Sequence, residues 1–184
     1  MATKVITGEV RFSYVNLWTP TAFQEDGEKK YNVSLLIPKK DKKTVAAIEA
    51  AIEIEKAKLL ETLNLKVLPK TANVAELRDG DEEYPGDEIM EGNYFIRVSS
   101  KTKPGIVEKN PNTGAVEEIL QQDEFYSGCY GKASINAYAF GDAKKPYKGV
   151  ALGINNVMKT KDGEHLGGGR SSAEDDFADD DDLL

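Results

Sequence analysis

The sequence predicts a mainly β domain with one inserted α-helix, closed as a small five-stranded barrel and followed by a disordered acidic C-terminal tail. Three observations carry this. Apolar residues alternate with period two in several short runs, and turn residues separate the runs; this is the pattern of half-buried strands. One stretch, residues 41–63, changes to the helical period. The last dozen residues, AEDDFADDDDLL, hold seven acids and no base. Ionised carboxylates are costly to bury unpaired and repel one another, so this block stays in solvent.

Length and charge narrow the function. The 184 residues suit one domain, residues 1–165, with a Gly-rich linker and tail over 166–184. No apolar run approaches the ~20 residues of a membrane span, and the N-terminus lacks a signal-peptide pattern; a cytoplasmic setting is expected. Cys129 and His165 are the only residues of their kinds, which leaves no internal disulfide and no cysteine-based zinc site. His165 lies in KDGEHLGGG, read as a loop with no rigid neighbour to orient an imidazole. The net charge of −8 divides unevenly. The tail takes seven of the 32 acids, so residues 1–172 carry 25 acids against 24 bases. A nearly neutral body selects partners by where its charges cluster.

The elements follow in order. Val5 to Trp18 reads as one long strand, with Val10, Phe12, Tyr14 and Trp18 on one face and Arg11, Ser13, Val15 and Leu17 on the other. Thr19-Pro20 ends it. EDGEKK, residues 25–30, is a hairpin turn around Asp26-Gly27. Tyr31, Val33, Leu35 and Ile37 share one face of a second strand. Pro38 stops that strand, Asp41 is an N-cap, and Val45, Ile48, Ile52, Leu59 and Leu63 form a helical stripe ending near Leu63. Residues 66–92 are irregular. RDGDEEYPGDE within them resembles a calcium loop but has Tyr84 where the sixth position needs Gly. Tyr94 to Lys101 is a third strand, with Tyr94, Ile96 and Val98 facing one way and Phe95, Arg97 and Lys101 the other. Ile106-Val107 and Ala115 to Ile119 pair across NPNTG. Gly128 to Phe140 alternates small apolar residues with Tyr130, Lys132, Ser134, Asn136, Tyr138 and Phe140. Val150, Leu152 and Ile154 make a final strand. One helix among five or more strands suits an OB-type barrel.

The mixed face of 128–140 carries the residue types that unpaired bases require. Tyr130, Tyr138 and Phe140 offer rings for stacking, Lys132 a phosphate contact, and Ser134 and Asn136 hydrogen bonds to sugar or base edges. The same stripe also fits a packed face with the alanines against the helix, although Lys132 and Asn136 in mid-stripe count against that. Tyr14 and Trp18 either extend the platform or fill the barrel. Arg97 and Lys101 suit a groove. Lys39, Lys40, Lys42 and Lys43, and the loop lysines Lys144, Lys145 and Lys148, suit a passing backbone or a solvated surface. No phosphate loop, dinucleotide fingerprint or His-Glu-x-x-His is present, so a non-enzymatic role without cofactor or metal is expected. The tail is either a solubility device or a linear motif. In the second case Asp175, Asp176, Asp179, Asp180, Asp181 and Asp182 seek a basic groove, Leu183 and Leu184 seek a small pocket, and Phe177, which interrupts the acids, belongs to the same partner-binding tail. A protein-interaction adaptor that binds no nucleic acid is the alternative, and a homodimer is compatible with either.

YNVSLLIPKKD (31–41), LRDGDEEYPGDE (77–88), YSGCYGKASINAYAF (126–140), KGVALGINNVMKTKDGEHLGG (148–168) and AEDDF (173–177) occur in this order. On them the chain resembles the phage single-stranded DNA-binding proteins with an OB fold, a family long carried in tailed phages as a domain of unknown function. The resemblance implies sequence-tolerant binding of single strands in replication, recombination or repair. It also implies an acidic tail that docks partners and competes with DNA. Better-known proteins of similar function end their tails in Phe or Pro-Phe, whereas this chain ends in Leu183-Leu184.

Overall fold

A computed structural model describes residues 3–22 and 27–166; the tail and its proposed contact residues, 173–184, lie outside them, as do residues 23–26 of the first hairpin turn. In chain order the elements are β1 (Lys4–Ile6), β2 (Val10–Thr21), β3 (Lys30–Pro38), α1 (Lys42–Leu63), β4 (Asn73–Val74), β5 (Arg78–Asp79), α2 (Gly80–Glu83), β6 (Asn93–Ser100), β7 (Gly105–Lys109), β8 (Val116–Glu118), β9 (Tyr130–Phe140) and β10 (Gly149–Lys161).

Five strands close on themselves: β2 pairs with β3, β3 with β6, β6 with β10, β10 with β9, and β9 with β2. The β6–β10 contact is parallel and the other four are antiparallel. This is the expected OB-like barrel, a Greek-key closure that leaves no free edge among its five strands. β1 continues the line of β2 along β9, with Val5 opposite Ile135.

The register shows which faces are inside. Val33 faces Val98, Leu35 faces Ile96, and Ala137 faces Leu152, all buried. The alanines and Gly131 of β9 therefore line the interior, as their size suggested. α1 packs against β9, β10 and β1 and buries Ile48, Ile52, Leu59 and Leu63. Asp41 caps it by accepting from the Thr44 amide at 3.1 Å, and Asn64 ends it in the left-handed conformation. Glu55, on the buried side, accepts from the Ala139 amide at 3.2 Å and ties the helix to β9.

The structure corrects the sequence reading at several places, and the first is that Val5 to Trp18 is not one strand but β1 and β2, separated at residues 7–9. Alternation in the first strand does not run through to Trp18. A bulge lies between Ser13 and Asn16, with Tyr14 at φ 48°. An extra residue reverses the parity beyond it, so Leu17 joins Phe12 in the core with no exposed surface. The strand also passes through Pro20 to Thr21. The final strand is longer than Val150 to Ile154; a second bulge at Asn155 hides its continuation, which pairs with β9 as far as Lys161. Residues 66–92 contain β4, β5 and α2. His165 does have a rigid neighbour: its ring stacks on Tyr126 at 4.0 Å. The segment that carries it is held down by further contacts. The Tyr126 hydroxyl donates to Asp162 at 2.8 Å, and the Leu166 amide donates to the Ser127 carbonyl at 2.9 Å.

Candidate nucleic-acid interface

The outer face of the barrel is polar where β3, β6, β10 and β9 run side by side. Outward residues of β3 pair with outward residues of β6: Asn32 with Ser99 and Ser34 with Arg97. Ser99 lies beside Gly153 of β10, and Gly153 opposes Asn136 of β9. Two adjoining hollows cover this face. The larger, about 790 Å³, is lined by Lys30, Asn32, Arg97, Ser99 and Phe140 among others, with an apolar floor that includes Ala151 and Leu152. The smaller, about 300 Å³, shares Lys30 and Ser99 and adds Lys101, Asn136, Tyr138 and Gly153.

Glycine makes room at two points. A Cβ on Gly153 would come within 3.3 Å of the Asn136 amide oxygen and 3.5 Å of the Tyr138 ring, so any side chain there would occupy the small hollow. A Cβ on Gly149 would stand 1.7 Å from the Asn73 carbonyl; glycine there allows β4 to close one end of the larger hollow.

Arg97 is exposed, yet its direction is set from below. Its Nη2 donates to Asn32 Oδ1 at 2.6 Å. Asn32 is only 5% exposed. It accepts from Asn16 Nδ2 at 3.1 Å and donates to Thr21 Oγ1 at 3.0 Å and to the Lys30 carbonyl at 3.2 Å. A buried amide with all these partners holds a guanidinium in one place before any ligand arrives. Among the described residues Glu28 is the one carboxylate lining the larger hollow, and it pairs with Lys101 at 3.4 Å. Removing that competitor by Glu28→Gln should raise affinity for a polyanion by up to about fivefold, the worth of an exposed ion pair. Titration against an oligonucleotide at low salt checks this, and unchanged or weakened binding contradicts it.

The remaining residues singled out in the sequence fall in different places. Lys144 and Lys145 are exposed on the β9–β10 connection, their amides held by Asp142 Oδ1 at 2.9 and 3.1 Å. Tyr147 of the same loop is 80% exposed. Tyr130 is not beside Tyr138. It lies at the far end of β9, in a separate hollow of about 490 Å³, with Lys161 Nζ 4.5 Å and the Arg11 guanidinium 5.1 Å from its ring centre. Lys132 is exposed opposite Met158, and the Ser134 hydroxyl is enclosed with no hydrogen-bond partner among the described residues. Trp18 is half-buried, its Nε1 donates to the Phe125 carbonyl at 2.9 Å, and Lys103 covers its ring at 4.9 Å; it belongs to the packing of the barrel wall. Lys39 is bound to Asp79 at 2.6 Å and Asp81 at 2.8 Å. The Asp79 hydrogen bond, reinforced by Asp81, raises the Lys39 pKa well above its ordinary value and lowers both carboxylates. Lys39 therefore staples α2 to the end of β3 and is spent as a phosphate ligand.

Sequence reasoning did not single out Lys30, Asn32 and Ser99, which line these hollows, or the exposed Tyr147. A signal was present for the first two: Lys30, Asn32 and Ser34 alternate with the apolar face of the second strand. Tyr147 sits in a loop, where periodicity says nothing.

The family model described as the single-stranded DNA-binding protein of Enterobacter phage Enc34 matches residues 3–184. A putative protein p50 of Acyrthosiphon pisum secondary endosymbiont phage 1 is 29% identical over 184 residues, covering 96% of this chain and 93% of that protein. The C-terminally truncated single-stranded DNA-binding protein of bacteriophage Enc34 superposes with a TM-score of 0.70 at 27% identity, covering 89% of this chain and 88% of that one. The Enc34 protein in complex with single-stranded DNA gives a TM-score of 0.65 at 27% identity, with 90% of each chain covered.

Proposed function

From the premise that the chain belongs to the Enc34 single-stranded DNA-binding protein family, we propose that it binds single-stranded DNA without sequence preference through the groove over β3, β6 and β10. The observation that carries this is the preset Arg97 on Asn32, set between Lys30 and Lys101 on a barrel whose relative has been solved with single-stranded DNA. OB barrels hold oligonucleotides across their second and third strands, between the connections that flank them; here those strands are β3 and β6.

The division of labour follows from chemistry. Tyr138 and Phe140 take bases by their rings, which every base accepts equally. Lys30, Arg97 and Lys101 neutralise phosphates, with Lys144 and Lys145 at the rim. Asn136 and Ser99 supply hydrogen bonds to sugar or base edges. Nothing in this scheme breaks a covalent bond, and the role is that of a coating protein in phage replication, recombination or repair. The acidic tail competes with DNA for the same cations and recruits protein partners, with Phe177, Leu183 and Leu184 as its apolar contacts.

Fluorescence anisotropy of a labelled oligo-dT tests the reading. The full chain should bind, with log affinity falling against log salt by about 0.7 for each phosphate neutralised. Truncation before Ala173 should raise single-strand affinity and abolish partner recruitment. Absence of binding at low salt by the truncated protein would refute the reading; affinity unchanged by truncation would leave the tail as an address only.

A further inference from the structure

Tyr14 has two properties that ordinary strand residues lack. Its backbone is left-handed, φ 48°, a conformation in which the Cβ of a bulky residue crowds the backbone. The residue is also 68% exposed, so core packing does not compensate. The bulge is held from both sides: Asn16 Nδ2 donates to the Tyr14 carbonyl at 3.2 Å, and the Val15 backbone N–H donates to Ser127 Oγ at 3.0 Å. Asn16 is the residue that also donates to Asn32, beneath Arg97. The outward residue before the bulge, Ser13, opposes Ser34, whose other neighbour is Arg97. The bulge thus stands two strands from the guanidinium and shares its hydrogen-bond network.

Strain kept in a non-glycine residue at a surface, where Asn or Gly would sit without cost, points to a use for the side chain. We infer that Tyr14 is a preset stacking residue, turned outward by the bulge to receive an unstacked nucleobase at the β2 border of the groove. The inference rests on the single-strand reading above. It adds that the fold gives up stability at this position in exchange for a fixed aromatic platform.

Two rankings test it on the full-length chain. Thermal melting should follow left-handed preference: Tyr14→Asn and Tyr14→Gly melt at or above the parent, and Tyr14→Val melts about 2–4 °C below it. Anisotropy titration with oligo-dT should follow aromaticity instead. Tyr14→Asn should weaken binding about five- to one-hundredfold, and Tyr14→Phe and Tyr14→Trp should recover what Asn loses. If affinity tracks melting temperature, or Tyr14→Asn binds as the parent does, the inference is wrong while the groove reading stands. If Tyr14→Val melts above Tyr14→Asn, the left-handed bulge itself is refuted. A parent protein that does not bind oligo-dT overturns the functional reading first.

Discussion

Lys30, Arg97 and Lys101 replaced together by alanine should cost on the order of a hundredfold or more in oligo-dT affinity at low salt. Each contact between a charged donor and a phosphate is worth about 1.5–3 kcal/mol when it is well made. Arg97 meets that condition because Asn32 orients it, whereas Lys101 must first leave Glu28. The more telling readout is the salt slope. Three fewer neutralised phosphates should flatten it by about two units, and the curves of parent and variant should converge as salt rises. Stability should barely change. Arg97 and Lys101 are exposed, and Asn32 keeps its bonds to Asn16, Thr21 and the Lys30 carbonyl. A parallel downward shift with an unaltered slope would mean that the groove does not contact phosphates.

The second large effect is on folding. Leu17→Ala should destabilise the domain by about 2–5 kcal/mol in chemical denaturation, the range for a leucine removed from a packed core. Uninterrupted alternation places Leu17 with Arg11, Ser13 and Val15 on an outer face, where the same change is worth about 0.5 kcal/mol or less. The two readings differ by several-fold, so one measurement separates them. A small loss would mean that the bulge at Tyr14 does not reverse the strand. Unchanged cooperativity in the transition would confirm that the loss is local packing and not a collapse of the barrel.

These two results bear on different parts of the molecule, and the hydrogen-bond network links them. The bulge that sends Leu17 inward also places Asn16 against Asn32, and Asn32 sets Arg97. Core packing and the orientation of Arg97 therefore meet at one irregularity in β2. A preset arrangement of this kind fits the proposed groove, because contacts to phosphates and ring faces need no rearrangement for each base.

The sequence alone determined the class of fold and most of its elements. Period-two runs marked β3, β6 and β9, and helical spacing with Asp41 at its head marked α1. These signals are local: a strand face or helix face is written in residues a few positions apart. Arg97, Lys101, Asn136, Tyr138 and Phe140 were also legible as candidates, because cations and rings on an alternating strand stand out. What only the tertiary structure decided is which of them meet. Tyr130 and Tyr138 share a strand face in the pattern, yet they lie in separate hollows because a barrel strand coils and each end faces a different neighbour. Lys30 and Arg97 are 67 positions apart and line one hollow. Lys39, read as a free cation, is consumed by Asp79 and Asp81 across a long connection. The bulges at Tyr14 and Asn155 left no periodic trace, since a single extra residue shifts the pattern without leaving a residue type of its own. Faces are local and were readable; neighbours across the barrel depend on closure and register, which are set by long-range pairing.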